Sequence, residues 1–167
     1  MPKFRHIRRV FDEALRLWPT APAFTRSPNK DTVIGGRYRM RRQDWATVLI
    51  PFIHRDPSVW GQDAEDFRPD RFLPENSHGR APHSYLPFRT GERACIGRQF
   101  ALHEAVLVLA RLVHRYDIAG DPDYELAISE RLTLMPKDFQ IRLARRTPGA
   151  STPTPAPTKM PGAQGPG

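Results

Sequence analysis

The stretch from Pro87 to Tyr116 constrains this chain more than any other. It reads Pro87-Phe88-Arg89-Thr90-Gly91-Glu92-Arg93-Ala94-Cys95-Ile96-Gly97 and passes straight into the longest helical run of the sequence. A cysteine so placed sits at a helix N-terminus, where free N–H groups and partial positive charge favour the thiolate. Arg93 and Arg98 add positive potential. Gly91 and Gly97 let main chain approach a flat ligand and aim amides at the sulfur, and such hydrogen bonds tune a metal-bound thiolate. A lone cysteine read without context is a small buried hydrophobe. The ordered pattern Phe-x-x-Gly-x-Arg-x-Cys-x-Gly is far more restrictive, and it points to a ligand loop.

The other periodicities predict a fold that is mainly α with small β hairpins. From Ile96 to Tyr116 the apolar residues Phe100, Leu102, Val106, Leu107, Leu109, Leu112 and Val113 fall on nearly every helical face, which predicts burial on several sides. Phe4 to Trp18 has helical spacing and ends at Pro19. After a Pro-rich bend, Thr32–Ile34 and Arg37–Met40 flank Gly35-Gly36 as a hairpin, and Trp45 to Pro51 reads as a strand. From Phe52 to Arg93, Pro, Asp and Arg with isolated aromatics predict short turns and coil. Leu132–Leu134 and Phe139–Leu143 alternate about Pro136-Lys137-Asp138, as in a second hairpin.

Composition sets the boundaries. The chain has 167 residues and changes character at Thr147; the 21 residues from there on hold six Pro and four Gly with no aromatic or branched aliphatic side chain. Such a segment cannot bury enough to order itself, so 147–167 is expected to be a disordered linker or tail and 1–146 the globular part. One cysteine excludes an internal disulfide framework and any multi-cysteine zinc or iron–sulfur site. No apolar run approaches the roughly 18 residues of a membrane span. The first residues carry no apolar signal region, so a reducing, cytoplasmic setting is expected. Lys+Arg total 26 against 18 Asp+Glu, a formal charge of +8, yet only four of the cations are lysines. Arginine suits carboxylate and phosphate pairing. The arginines are scattered and no nucleic-acid-binding motif accompanies them, so nucleic acid is not an expected partner. The competing reading is a non-catalytic basic module for an anionic or nucleic-acid partner. The six histidines form no metal-ligand spacing of their own.

The segment around Cys95 resembles the heme-binding loop of the cytochrome P450 family, the heme-thiolate monooxygenases. The resemblance implies that Cys95 is the axial ligand of the iron of heme b. It implies that Arg93 contacts a heme propionate, that Phe88 shields the sulfur, and that Gly91 and Gly97 complete the loop. Arg89 departs from the pattern, which usually has a glycine there, so a side chain would crowd the loop at that point. Glu13-Ala14-Leu15-Arg16 fits the family's K-helix Glu-x-x-Arg element, and Pro69-Asp70-Arg71-Phe72 resembles its downstream Pro-x-Arg-Phe element. Glu13, Arg16 and Arg71 are then a buried structural triad that fixes the meander behind the heme.

Glu13 to Phe24 and Gly97 to Ala105 look like the self-sufficient bacterial fatty-acid hydroxylases, in which a heme domain is fused through a linker to a flavin reductase. By that resemblance Ala21, Pro22, Ala23, Phe24, Leu132 and Thr133 line a pocket for a small hydrophobic substrate. The reaction implied is O2-dependent hydroxylation of fatty-acid-like substrates, with electrons from NADPH through the FAD and FMN of a reductase. The chain matches the part of the fold from the K helix onward. No Ala/Gly-Gly-x-x-Thr proton-relay pattern precedes Glu13, so these residues by themselves are expected to be inactive, with helix faces left for partners.

Overall fold

The computed structural model describes residues 4–130 and 132–146; the Pro/Gly-rich segment from Thr147 lies outside the described residues. Helix α1 (Arg5–Leu17) ends as its sequence demands: the Trp18 N–H still reaches the Ala14 carbonyl at 2.8 Å, and Pro19 has no N–H to continue. Its buried side is mixed, since Asp12, Glu13 and Arg16 are as enclosed as Leu15 and Leu17.

Strand β1 (Ala23–Arg26) occupies what reads in sequence as a Pro-rich bend. It pairs antiparallel with β4 (Ala46–Leu49), Phe24 opposite Val48. The four residues of β1 suffice, although Pro22 and Pro28 flank the segment, because a two-stranded sheet asks each strand for one set of partners only. The hairpin of β2 (Thr32–Ile34) and β3 (Tyr38–Met40) forms as expected, with Gly35 and Gly36 at φ +58° and +68°, a region that side chains disfavour.

The stretch after β4 consists of short turns, many of them helical: α2 (Ile50–Ile53), α3 (Pro57–Trp60), a 3-10 turn at Pro69–Phe72, α4 (Pro74–Ser77), and a second 3-10 turn at Gly91–Arg93. Helix α3 has its own signals. Asp56 accepts from the Ser58 N–H at 2.9 Å, Pro57 takes the first helical position, and Gly61 ends the turn at φ +86°. Arg71 and Glu13 meet because α1 packs against the Pro69–Phe72 turn.

Helix α5 (Arg98–Arg115) corrects one expectation. It buries a single stripe, Leu102, Val106 and Ala110, while Leu107, Val108 and Val113 stay exposed and Phe100 is 72% exposed. The core those three residues complete holds Leu15, Leu17, Ile50, Trp60, Ala64 and Leu86. A second correction concerns the C-terminal strands. β7 (Leu134–Pro136) pairs backward with β6 (Ile128–Glu130), and β8 (Ile141–Arg145) pairs with β5 (Tyr116–Gly120). Both strands lie two residues beyond the expected Leu132–Leu134 and Phe139–Leu143, and alternation does not encode the partner of either. No described helix is long and apolar enough to cross a membrane.

Candidate functional site

Cys95 lies on a loop closed at its base by main-chain hydrogen bonds. Its N–H donates to the Phe88 carbonyl at 2.9 Å, and the Ala94 N–H donates to the Gly91 carbonyl at 3.0 Å. Gly91 takes φ +73°, where a side chain would strain the turn. A side chain at Gly97 would begin 3.9 Å from the Cys95 sulfur, so glycine leaves that approach open. The sulfur is exposed, and so are Arg93 and its apolar neighbours Ile96 and Phe100. Phe88 is half-buried.

Arg89 occupies the position where the resemblance expects glycine, and its φ of +59° explains that expectation. The guanidinium lies 5.1 Å from the centre of the Phe24 ring, which also receives Arg26 at 4.7 Å. Cation–π attraction offsets part of the left-handed strain, and it joins the cysteine loop to β1. Ala21, Pro22, Ala23 and Phe24 are half-buried. Thr133 is half-buried beside them and Leu132 is 91% exposed, the two segments tied by the Leu134 N–H donating to the Thr20 carbonyl at 3.0 Å.

A second feature is a charged cluster whose centre is fully buried. Glu13 and Arg16 have no exposed surface, and Arg16 Nε and Nη2 donate to the two Glu13 oxygens at 2.7 and 2.9 Å. Arg16 also donates to the carbonyls of His54 (2.8 Å), Ala64 (2.7 Å) and Asp66 (3.1 Å). Glu13 accepts the Arg68 N–H at 2.7 Å. Arg71 completes the group: Nε stands 3.5 Å from Glu13 Oε1 without a hydrogen bond, Nη1 donates to the Trp60 carbonyl at 2.6 Å, and Nη2 pairs with Asp63 at 3.0 Å. Every formal charge here is met by an opposite charge, and most donors by main-chain oxygens.

The cluster extends through His54, whose turn His54-Arg55-Asp56 echoes a structural turn of the family pattern, and through Tyr85 and Trp60. His54 is fully buried; its Nδ1 lies 3.0 Å from the Arg16 carbonyl and its Nε2 2.7 Å from the Leu86 amide nitrogen. A carbonyl only accepts and an amide only donates, so Nδ1 carries the proton and the ring is neutral. Burial holds its pKa down at about 4, with repulsion from Arg16 and Arg55 adding to the effect. Tyr85 donates to the Asp12 carbonyl at 2.9 Å, and burial, then the Asp12 carboxylate, pushes its phenol above the ordinary range. The Trp60 ring has the guanidiniums of Arg80 and Arg16 at 4.3 and 5.0 Å from its centre. Among the described residues, no group of three or more His, Cys, Asp or Glu is arranged to hold a metal ion.

The family model for cytochrome P450 matches residues 2–143. The chain belongs to the cytochrome P450 family. A bifunctional cytochrome P450/NADPH–P450 reductase of Bacillus subtilis strain 168 is 50% identical over 141 residues, covering 84% of this chain and 13% of the relative. A bifunctional cytochrome P450/NADPH–P450 reductase of Bacillus cereus is 46% identical over 153 residues, 91% of this chain and 14% of the relative. A self-sufficient cytochrome P450 monooxygenase of Penicillium expansum is 46% identical over 147 residues, 87% of this chain and 14% of its own length. This cytochrome P450 chain thus spans about one-seventh of these relatives. The family implies heme as cofactor.

Proposed function

We propose that this chain supplies the cysteine-ligand side of a cytochrome P450 heme domain, and that Cys95 is the axial ligand of heme b iron. The observation that carries the reading is the exposed Cys95 sulfur, on a hydrogen-bonded loop, beside open glycine and uncovered apolar side chains. A flat apolar group with its own metal fits that donor set, because it needs one thiolate, close main-chain approach and an apolar rim. Arg93 pairs with a propionate, Phe88 shields the sulfur, and Gly91 and Gly97 keep the loop thin. When bound, heme supplies activation of dioxygen, which electron donation from a thiolate ligand promotes.

The remaining residues take supporting roles. Glu13, Arg16 and Arg71 hold the meander that carries the loop. Ala21, Pro22, Ala23, Phe24, Leu132 and Thr133 form part of the substrate wall. The chain corresponds to the family fold from the K helix to the C-terminal strands, residues 1–146 forming part of the heme domain and 147–167 a linker. The reaction is hydroxylation of fatty-acid-like substrates in the cytoplasm, with electrons from NADPH through a flavin reductase. These 167 residues by themselves do not turn over.

A chimera tests the reading. Residues 1–146 replace their counterpart in the Bacillus subtilis relative, and NADPH-dependent fatty-acid hydroxylation is assayed. The chimera is expected to hydroxylate and to lose all turnover on Cys95→Ala. A folded chimera that hydroxylates equally well after the Cys95→Ala substitution contradicts it.

A further inference from the structure

We propose that His54 is a positioning residue for the cysteine loop: its imidazole couples the main chain at Leu86, where the loop begins, to the main chain at Arg16 in the buried charged cluster. The inference rests on the reading of Cys95 as the iron ligand, since that reading is what makes the loop's position matter.

Four hydrogen bonds in near succession carry it. The His54 Nδ1–H donates to the Arg16 carbonyl at 3.0 Å, and Nε2 accepts the Leu86 N–H at 2.7 Å. The Leu86 carbonyl then accepts the Arg89 N–H at 3.1 Å, and the Phe88 carbonyl accepts the Cys95 N–H at 2.9 Å. One ring thus joins a helix end to a loop 32 residues downstream of it. His54 exposes no surface and Leu86 only 6%, so water cannot replace either bond. Removing the acceptor strands a buried amide, whose cost falls on the loop rather than on the apolar stripe of α5.

The charged surroundings set how the coupling responds to acid. From α1 come Arg16, neutralised by Glu13, and Asp12, which accepts from Tyr85. Arg55 adjoins the ring along the chain, and the Tyr85 ring lies 5.3 Å from it on the loop side. No carboxylate bonds to either ring nitrogen; the Arg16 carbonyl on Nδ1–H favours the imidazolium, and burial outweighs it. A second proton on Nε2 would set one donor against another at Leu86 and release the loop.

The test is amide hydrogen exchange by NMR on the full chain without heme, from pH 7.5 to pH 5. A folded pKa near 4 against 6.5 for the free ring predicts that protection of Leu86 and Cys95 falls roughly 30-fold over that range. Val106 and Ala110 in α5 exchange by larger openings that also free the ring, so their protection should start higher and fall by no more than the same factor. His54→Gln keeps an acceptor that does not titrate, so Leu86 and Cys95 should stay protected and lose the pH dependence. His54→Leu should expose both amides while α5 remains protected; if that variant does not fold, the wild-type series and His54→Gln decide. Protection at Leu86 and Cys95 that ignores pH overturns the proposal, and so does a His54→Leu variant in which these two amides lose no more protection than Val106 and Ala110. Because the chain carries no heme in this experiment, its outcome is read separately from whether Cys95 binds iron.

Discussion

Glu13 is one carboxylate answering two guanidiniums, and it does so with none of its surface in water. Arg16 closes a bidentate pair on it, whereas Arg71 stands off at 3.5 Å and leans on Asp63 and the Trp60 carbonyl. Glu13→Gln keeps the volume and removes the charge, leaving Arg16 buried with no counter-ion. Breaking a buried pair this way costs about 3–5 kcal/mol, a large share of a small domain's stability. Urea unfolding should show that loss, while Glu65→Gln, at the exposed Arg55–Glu65 pair, should cost under about 1 kcal/mol. Equal, small effects from both substitutions would contradict the cluster's role. The three charged members of this group were legible in sequence as two short motifs in the right order. Their acceptors were not: the carbonyls of His54, Trp60, Ala64 and Asp66 are main-chain atoms, and any residue there supplies one. Arg89 is a similar case, because only its φ of +59° shows why a glycine was expected and only Phe24 shows what holds the arginine there.

At the scale of elements, α5 separates what periodicity can and cannot encode. Its apolar residues ring the helix, so sequence alone predicts enclosure, but the described structure covers one stripe at four-residue spacing. Leu102 and Leu107 have the same chemistry and opposite surroundings: Leu102 is 4% exposed and Leu107 is 46% exposed. Leu102→Ala should therefore cost about 2–5 kcal/mol in this chain, and Leu107→Ala under about 1 kcal/mol. Thermal melts of the two variants check the contrast, and matching losses would show that both faces are packed. The C-terminal strands teach a related point. Alternation places strands at Leu132–Leu134 and Phe139–Leu143, whereas the strands run over Leu134–Pro136 and Ile141–Arg145, and Pro136-Lys137-Asp138 does not join them as a hairpin. The Lys137 N–H donates instead to the Ala127 carbonyl at 2.8 Å, and Tyr124 packs edge-on against Phe139 at 5.5 Å. Those are non-local contacts, and turn residues carry no signal for them.

Across the whole molecule, the features converge on one loop. The charged cluster ties α1 to the Pro69–Phe72 turn, His54 links that cluster to Leu86, and the loop from Phe88 to Gly97 presents an exposed cysteine between arginines. Apolar surface is left uncovered beside that loop, at Ile96 and Phe100, in a chain that spans about one-seventh of its relatives. The +8 charge finds partial use in the buried pairs, and Arg26, Arg89 and Arg93 remain near the proposed cofactor and substrate wall without a carboxylate among their described ion pairs. Binding of heme iron by the Cys95 thiolate is read from the absorption spectrum of the hemin-loaded full chain, reduced under carbon monoxide. The long-wavelength Soret band of thiolate-ligated heme is expected, abolished in Cys95→Ala; a band at the shorter wavelength of histidine ligation, unchanged by that substitution, rules the assignment out.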